Sequence, residues 1–392
     1  MEIIIDNKVY DISEFRHPGG NVIRSYKDAT NAFHQFHMKS KKAHAILKTL
    51  PSRPIESTYK PHILSKAFQE FSDDLRRDGY FETNWFEVST RILEIIGMVL
   101  FGTYLYSKAY ILSCILLGVA SGRCGWLMHE AGHHSLTGNP NTDKKLQTFF
   151  YGAGCGMSAI WWRSQHNRHH ATPQHENKDP DLATLPLVAF NKCVLPEKMN
   201  VLMGKYLKYQ KYLFPVITCS LVSLYWRYYL HLRTMILKTY DLRTRKYAYG
   251  EMASYCLYHL FFYILLGNTR QKLLTYLLIN AISANYIFIH FAISHTHLPV
   301  TKDQLTWVEY SAYHTTNVGR GNVFVTWLMS NLNYQIEHHL FPTMPQCNHK
   351  YISKRVQEFF KKHDLPYGDG SYWELLTKTF DNLQNVADCL HL

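Results

Sequence analysis

Three clusters of histidine are the features of this chain that could carry out chemistry. Together they hold eight of its 23 histidines, with ligand-capable side chains three to five residues apart. On a helix this spacing places side chains on one face, about 5–6 Å apart at Cβ, so it predicts metal binding. The clusters are His129-Glu130-Ala131-Gly132-His133-His134, His166-Asn167-Arg168-His169-His170 and Gln335-Ile336-Glu337-His338-His339.

The number of imidazoles predicts two ions rather than one. A tetrahedral zinc site needs only about four ligands, fewer than the clusters offer. No cysteine lies within a cluster, so the ligands are imidazoles without thiolate, a set that suits zinc, copper, iron or nickel. The spacing leaves the metal open. The cysteines are scattered without a CxxC pair, which predicts reduced thiols.

Composition and charge indicate a membrane protein. The 392 residues carry a formal net charge of +12, and 15% are aromatic. A basic surplus fits nucleic acid or an anionic membrane surface. The chain has apolar segments but no basic run, Gly-rich phosphate loop or nucleic-acid module, so we exclude nucleic acid as a partner. The N-terminus has no basic region followed by a long apolar stretch, which predicts no cleaved signal peptide and a cytosolic position for residues 1–60.

Four apolar stretches approach the ~20 residues needed to span a bilayer. They are residues 88–106, 109–127, 252–267 and 273–294, the last two joined by a turn at 268–271. All three clusters can meet only if an even number of spans separates them. A fifth candidate, 212–230, is therefore predicted to lie in the interface as an amphipathic helix. Residues 149–162 are interfacial, re-entrant or an ordinary buried helix. Lys and Arg are dense at 143–250 and 343–362, which predicts a cytosolic metal site.

The chain divides by composition into four parts. Residues 1–50 are predicted to form a small soluble unit, 51–61 a proline-containing linker, 62–365 the membrane domain and 366–392 a helical tail that packs on it.

Many imidazoles beside apolar spans suggest oxygen chemistry on a lipid chain. An unactivated methylene has neither an acidic proton nor a leaving group, so side-chain acids and bases cannot attack it. A metal–oxygen oxidant can abstract its hydrogen, with the protein positioning the reactants. The acyl chain must then enter a dry tunnel between helices.

The three clusters, in this order and at these separations, resemble the histidine boxes of membrane fatty acyl desaturases. Gln335, where other desaturases have His, resembles the front-end members, which insert a double bond between an existing one and the carboxyl end. The flanking sequences Trp161-Trp162, Asp179-Pro180-Asp181-Leu182 and Asn333-Tyr334 before Gln335 also fit. The resemblance covers roughly residues 60–365. It implies a mostly α fold, with a four-span membrane desaturase-like domain under a cytosolic cap.

The resemblance further implies a di-iron centre, O2 as co-substrate and an acyl lipid or acyl-CoA as substrate. It implies a multi-pass protein of the endoplasmic reticulum membrane, with both termini and the metal site cytosolic. Carried over by position, the metal ligands are His129, His133, His166, His169, His170, His295, His338 and His339, and Gln335 is a further metal-site residue at the place another desaturase fills with His. His134 is a further candidate, although adjacent rings on a helix cannot face the same way.

Other polar residues have weaker claims. Asp179 and Asp181 either orient ligating imidazoles or form a turn around Pro180. His297 and His314 are more often ordinary polar residues, and His175 is a loop residue. His259 and His290 lie in membrane segments, where they are functional candidates or satisfied interhelical hydrogen-bonding groups.

The N-terminal unit carries a second signature. His17-Pro18-Gly19-Gly20 resembles the haem-binding loop of b5-type cytochromes, so the unit is predicted to be a small, shortened α+β cytochrome b5-like domain. This implies haem b between His17 and His37, with His34 as competitor, and an electron donor of the NADH-cytochrome b5 reductase type. The first strand and helix usual in that family are largely missing, so a domain without haem is the alternative. Tethering raises the effective concentration of the electron carrier to roughly millimolar.

A front-end desaturase is the favoured interpretation, and the motifs leave several alternatives open. A sphingolipid long-chain-base desaturase shares these motifs, and a lipid hydroxylase uses a similar site. A membrane haem protein that only relays electrons, or a metal-binding scaffold, would be no enzyme. The position of the new bond (5, 6 or 8), the chain length, the acyl carrier and the oligomeric state are not encoded in the motifs.

Overall fold

The computed structural model describes residues 1–56, 59–242, 244–266 and 272–390, and most of them are helical. The N-terminal unit contains β1 (Glu2–Ile5), β2 (Lys8–Asp11), α1 (Thr30–His37), α2 (Lys41–Thr49) and β3 (Ser52–Pro54). The next helices are α3 (Ile63–Arg77), α4 (Trp85–Leu105), α5 (Tyr110–Gly132), α6 (Pro140–Cys155), α7 (Ala159–Ala171), α8 (Val201–Leu207), α9 (Gln210–Ser220), α10 (Leu232–Lys238), α11 (Arg245–Leu266) and α12 (Lys272–Ala292). The remainder comprises α13 (Trp307–His314), β4 (Asn317–Val318), α14 (Val323–Leu328), α15 (Gln335–Leu340), α16 (Gln346–Lys362), β5 (Asp369–Gly370) and α17 (Tyr372–Asp388).

The N-terminal sheet runs β1-β2-β3 and is antiparallel. Asp6 and Asn7 join its first two strands with positive φ angles of 49° and 32°, as a two-residue hairpin requires. β3 lies inside the segment predicted to be a linker, with Arg53 opposite Val9. The N-terminal unit therefore continues to Pro54, beyond the predicted boundary at residue 50.

Three described helices are long and apolar enough to cross a membrane, namely α4, α5 and α12. The predicted span 252–267 falls within α11, except for Gly267, which lies outside the described residues together with the predicted turn 268–271. The candidate 212–230 lies in α9 and a π-helical segment, Leu221–His231, that continues into α10. The predicted packing helix of the tail is α17, whose Leu375 and Leu383 are buried.

α5 is the central helix of the membrane domain and packs against α4, α6 and α12. Small residues allow the close approach of α12. A Cβ added at Gly118 would lie 2.7 Å from Cβ of Ile282, and one added at Gly122 would overlap the ring of Tyr286. In a membrane the hydrophobic effect does not drive helices together, so close van der Waals packing at small residues is a main source of helix association.

The N-terminal unit is docked on helices α3, α13, α15 and α16, which together are called the cap. A single apolar core contains Tyr26 and Ala32 of that unit together with Phe68, Trp307 and Phe341. Polar contacts reinforce it, since Gln304 Nε2 donates to the carbonyl of Ser25 at 2.6 Å and Asn31 Nδ2 donates to that of Ser65 at 3.2 Å. A tether alone is therefore not what holds the two parts together.

Candidate metal centre

Four separate segments deliver imidazoles to one buried region. The end of α5 carries His129 and His133, and α7 carries the second cluster. α15 carries His338 and His339, and His295 follows α12. All these histidines are buried. The three clusters therefore meet, as the sequence predicts, while the number of spans between them stays a prediction.

The first group of ligand atoms is made of imidazoles alone. It comprises His129, His133, His166, His170 and His338, whose ligand nitrogens all lie within 4.8 Å of one another. Nε2 of His166 lies 3.0 Å from Nε2 of His133 and 3.0 Å from Nε2 of His170. A neutral imidazole has a single N–H, so three converging Nε2 atoms cannot all be satisfied by one another. A cation at their common focus would satisfy them.

The second group comprises His169, His295 and His339. The side-chain amide of Gln335 joins it, with Nε2 at 2.9 Å from Nε2 of His295. The two groups are in contact, because the rings of His170 and His339 are stacked with centroids 4.1 Å apart. The histidines thus form two adjacent groups that could each hold a metal ion, and His169 also belongs to a third candidate group with Asp179 and Asp181.

Unpartnered buried atoms fit the presence of cations. Nε2 of His129 and both ring nitrogens of His338 and His339 have no hydrogen-bond partner within the described protein, and neither has Oε1 of Gln335. Leaving a buried polar atom unpaired costs roughly 1–3 kcal/mol. Metal ligation would satisfy one nitrogen of each of these rings, and the nitrogen-rich donor set fits iron among other transition metals.

Neighbouring groups orient three of the imidazoles so that Nε2 faces the site. Asp179 lies 3.0 Å from Nδ1 of His169, and Nδ1 of His295 lies 2.9 Å from the carbonyl of His314. The amide of Gln346 lies 2.8 Å from Nδ1 of His129. Its Oε1 is otherwise unpartnered, so exchanging the amide N and O lets it accept from Nδ1–H. Such outer partners fix the tautomer of a ligating histidine.

Burial and charge tune the protonation of the second group. Burial lowers the pKa of His295 to about 3, which keeps its ring neutral as ligation requires. Burial also acts to lower the pKa of His169, but Asp179 and Asp181 outweigh it and raise that pKa to about 9. The raised pKa favours the protonated ring in the absence of metal. Because the contact with Asp179 holds a proton on Nδ1, Nε2 is the nitrogen that would lose its proton to a metal ion.

The helix that carries the second cluster is held at its N-terminus by a buried carboxylate. Glu251 of α11 accepts from the hydroxyl of Ser158 at 2.6 Å and from the backbone N–H of Ile160 at 2.7 Å. Ser158 in turn caps α7 by accepting from the N–H of Trp161. A negative charge at this end satisfies otherwise unpaired N–H groups and complements the helix dipole.

His134 is the predicted ligand that the structure does not place in either group. α5 ends at Gly132, and His134 follows with a φ of 60°. This left-handed turn separates its ring from that of His133. His134 is therefore removed from the candidate ligands, and His133 belongs to the first group.

The weaker candidates have other positions. His314 contributes its carbonyl to His295, while its own Nδ1 contacts the carbonyl of Pro299 at 2.8 Å. His297 and His175 are in neither group. His290 contacts the hydroxyl of Tyr372 at 3.1 Å, as a satisfied interhelical group would. The ring of His259 lies among those of Tyr228, Tyr255 and Tyr258.

The sequence offered no signal for some residues at this centre. Gln346 reaches His129 from a distant segment, and His349 is fully buried with its ring 5.9 Å from that of His338. Both are on α16, just beyond the third cluster. A search for polar residues on the helix after that cluster would have found them.

A cavity of about 1110 Å³ opens onto the histidines. Its lining includes His166, His169 and His295, and also Arg227 and Asn280. The rest of the lining is largely aromatic and aliphatic, with Trp161, Trp162, Leu221, Trp226, Phe288 and Phe291. Its volume and lining are suited to a long apolar chain.

The N-terminal unit brings together the predicted haem ligands. The rings of His17 and His37 have centroids 6.0 Å apart. Two metal–nitrogen bonds of ~2 Å and the radii of two imidazole rings add to about this distance. Burial lowers the pKa of His17, and lowers that of His37 to about 4, so both rings are neutral. The competitor His34 is instead 2.8 Å from Asp6.

Comparison with known proteins agrees with this geometry. The family model "Fatty acid desaturase" matches residues 107–371, and "Cytochrome b5-like Heme/Steroid binding domain" matches residues 2–53. Relatives named acyl-lipid (8-3)-desaturase, from Rebecca salina and a Thraustochytrium species, are 46% and 40% identical. Each alignment covers 98% of this chain, and 91% and 92% of the respective relative. A Delta(8)-fatty-acid desaturase from Euglena gracilis is 28% identical over 92% of this chain and 89% of its own length.

Proposed function

This chain belongs to the fatty acid desaturase family, and we propose that it is an acyl-lipid front-end desaturase with two irons in its histidine groups and haem b between His17 and His37. It is an oxidoreductase with a fused cytochrome b5-like domain, similar over nearly its whole length to acyl-lipid (8-3)-desaturases. From those names we infer a new cis double bond at position 5 of a polyunsaturated chain, three carbons toward the carboxyl end from one at position 8.

The convergence of two buried imidazole groups beside an apolar cavity, whose lining includes His166 of the first group and His169 and His295 of the second, carries this proposal. The first group would hold one ion through His129, His133, His166, His170 and His338. The second would hold the other through His169, His295 and His339, with Gln335 beside them. Iron in these sites supplies, with O2, the oxidising power that an unactivated C–H bond requires.

The protein's own residues bind and position the acyl chain. Aromatic and aliphatic side chains line the cavity and exclude water, and the reacting carbons must lie beside His166 and His169 in its lining. The extent of the cavity away from these histidines would limit how much of the acyl chain can be accommodated. Holding the reactants in this way is the part of catalysis that the fold supplies.

The charges along the cavity support a membrane lipid as the acyl carrier. Arg227 is buried on the carbonyl of Cys155, which leaves Arg168 and Lys178 as the other cationic lining residues described and Glu176, Asp179 and Asp181 as the anionic ones. This mixed, slightly anionic lining suits a zwitterionic lipid headgroup better than the several phosphate charges of coenzyme A. A membrane location with four spans, the fourth in α11, would place both termini and the cap on the cytosolic side of the endoplasmic reticulum. Electrons would then come from a reductase of the NADH-cytochrome b5 type.

The product of the reaction tests the proposal. The chain is expressed in a eukaryotic host without polyunsaturated lipids and supplied with C18 and C20 polyunsaturated acids, and total fatty acids are analysed by gas chromatography–mass spectrometry. We expect a new double bond at position 5, absent in His338→Ala and present in His62→Ala, which changes an exposed histidine outside both groups.

Two further readouts separate the alternatives. Time-resolved separation of lipid classes should find the product first in phospholipid rather than in the acyl-CoA pool. A hydroxylated product, or a product confined to sphingoid bases, would overturn the proposed reaction. Purified protein with haem but no iron in excess of it would instead indicate an electron relay.

A further inference from the structure

Two aromatic rings join the haem-ligand helix to the metal centre. Phe36 directly precedes His37 on α1, and its ring meets that of Trp307 edge-on, with centroids 5.2 Å apart and an interplanar angle of 81°. Trp307 is only 3% exposed. It begins α13, which belongs to the cap and not to the N-terminal unit. The contact therefore crosses the boundary between the two parts of the chain.

Trp307 continues the connection on its other side. Its Nε1–H donates to the carbonyl of Leu340 at 3.1 Å. Leu340 directly follows His338 and His339, which belong to the first and second histidine groups respectively. Along the path from His37 through Phe36, Trp307 and Leu340 to His339, consecutive residues are therefore joined by a peptide bond, a ring contact or a hydrogen bond.

We propose that Phe36, Trp307 and Leu340 form the route by which single electrons leave the haem for the metal centre. This inference rests on the proposed function, since it requires haem at His17 and His37 and iron at the histidine groups. Trp307 acts as a positioning residue that keeps a continuous contact path through the domain boundary. Neither ring is itself oxidised, because the electrons tunnel through the contacts.

The electrons balance over one turnover. Two C–H bonds of the acyl chain break and a C=C bond forms, which releases two electrons and two protons. Two further electrons would come, one at a time, from haem held by His17 and His37. The haem iron would change from the ferrous to the ferric state with each electron that it gives up. With two protons from water, O2 takes up all four electrons and four protons and becomes two waters. A flavoprotein reductase fed by a nicotinamide cofactor returns the haem to the ferrous state.

Other contacts also cross this boundary and provide competing routes. Sδ of Met38, the residue after His37, lies 3.8 Å from Oγ1 of Thr343. The hydroxyl of Tyr26 donates to the carbonyl of Ala171, the residue after His170. No ring contact joins Tyr26 to either His17 or His37 among the described residues. Its ring contacts that of Trp307, with centroids 6.5 Å apart, so this route would branch from the proposed one at Trp307. The Tyr26→Phe variant removes this hydrogen bond and keeps the ring, so it separates the two routes.

The test follows oxidation of the haem. The full-length holoenzyme in phosphatidylcholine nanodiscs with polyunsaturated acyl chains is reduced anaerobically and mixed with O2, and the haem absorbance is recorded by stopped flow. We expect Trp307→Leu and Phe36→Leu to slow haem oxidation about tenfold or more, equivalent to ~1.4 kcal/mol of barrier. The ferric spectrum, the haem potential and the iron and haem contents should match those of the wild type, and Tyr26→Phe should oxidise at the wild-type rate.

A matched control removes an equally buried ring. Tyr310 is on the same helix as Trp307 and is 1% exposed, and its ring contacts are with Tyr26, His175 and His314. Tyr310→Leu should leave haem oxidation unchanged. Equal slowing in Tyr310→Leu and Trp307→Leu would attribute the effect to core packing and overturn the route, as would slowing confined to Tyr26→Phe.

The remaining outcomes are also decisive. If Trp307→Leu loses haem or iron, the rates of Phe36→Leu and Trp307→Phe are measured instead. Trp307→Phe keeps a ring but lacks the N–H that donates to Leu340. Wild-type rates in both would overturn the route. Wild-type protein whose haem is not oxidised any faster with lipid substrate and O2 than without substrate would contradict the proposed function instead.

Discussion

Asp179 and Asp181 are the same side chain two residues apart, and the fold places them in different environments. Both approach Nδ1 of His169, Asp179 at 3.0 Å and Asp181 at 3.3 Å, but their side chains are 1% and 57% exposed. Asp179 also accepts from the backbone N–H groups of Gln174 and Asp181. The buried carboxylate is therefore fixed, whereas the exposed one is hydrated and weakly held.

We expect Asp179→Asn to lower iron affinity about 10–100-fold, the usual effect of losing the carboxylate behind a ligating histidine. The amide keeps the shape of the side chain but removes the charge that orients the ring. Asp181→Asn is the matched control and should change affinity much less. Iron per chain during titration with a chelator measures both variants, and equal losses would contradict the role given to Asp179.

His17, a proposed haem ligand, and His34 provide a second matched comparison. His17→Ala should abolish the haem absorbance and product formation while the iron content of the membrane domain stays at the wild-type level. His34→Ala changes a histidine of the same unit that pairs with Asp6 instead, and it should keep haem. Full activity in His17→Ala would mean that a separate carrier supplies the electrons.

Residue spacing predicted most of the histidines of the candidate centre, but not which of them belong to the first group and which to the second. The three clusters identified every imidazole that now lies in the two groups except His295, which came from the family resemblance. Which nitrogen belongs to which group depends on how α5, α7 and α15 cross, and no local pattern contains that. His134 was included because its removal depends on a left-handed turn at the end of α5, which the sequence around it does not signal.

At the scale of elements, the position of the first histidine cluster depends on the full length of helix α5 and not only on the length of its apolar stretch. The apolar stretch 109–127 ends before the first cluster, but α5 continues to Gly132 and carries His129 on the same rigid rod. The buried charges near that end are paired, Arg91 with Glu130 and Arg123 with Glu94. Composition alone would have ended the helix there. Pairing between helices is a tertiary property, which explains why the boundary could not be predicted.

The crossing of α5 and α12 should be sensitive to a single methyl group. A Cβ at Gly122 would overlap Tyr286, so Gly122→Ala must push the helices apart or displace the ring, at a cost of ~1–3 kcal/mol. Gly97→Ala on α4 is the matched control, because a Cβ there meets no atom within 4 Å. The midpoint temperature of thermal unfolding in detergent should be lowered by Gly122→Ala and not by Gly97→Ala. An equal decrease in both would indicate a general intolerance of larger residues.

At the scale of the whole molecule, docking replaces tethering as the way in which the haem unit is held. A flexible tether would give an effective concentration that falls with roughly the −3/2 power of its length. The shared core around Tyr26, Phe68 and Trp307, and the bond from Gln304 to Ser25, instead fix the unit on the cap. The sequence predicted both domains but not their contact, because the residues at the interface come from segments that carry no common pattern.

Lengthening the connection distinguishes the two descriptions. Insertion of a Gly/Ser segment after Glu56 should leave turnover and the rate of haem oxidation unchanged, because the interface, and not the length of chain, sets the position of the haem. The same insertion combined with Gln304→Ala and Tyr26→Phe, which weaken the docking contacts, should lower both rates, since the lengthened chain then determines how often the two parts meet. Measured turnover that declines steadily with insert length in the otherwise unchanged protein would mean that the docked arrangement is not the one that transfers electrons.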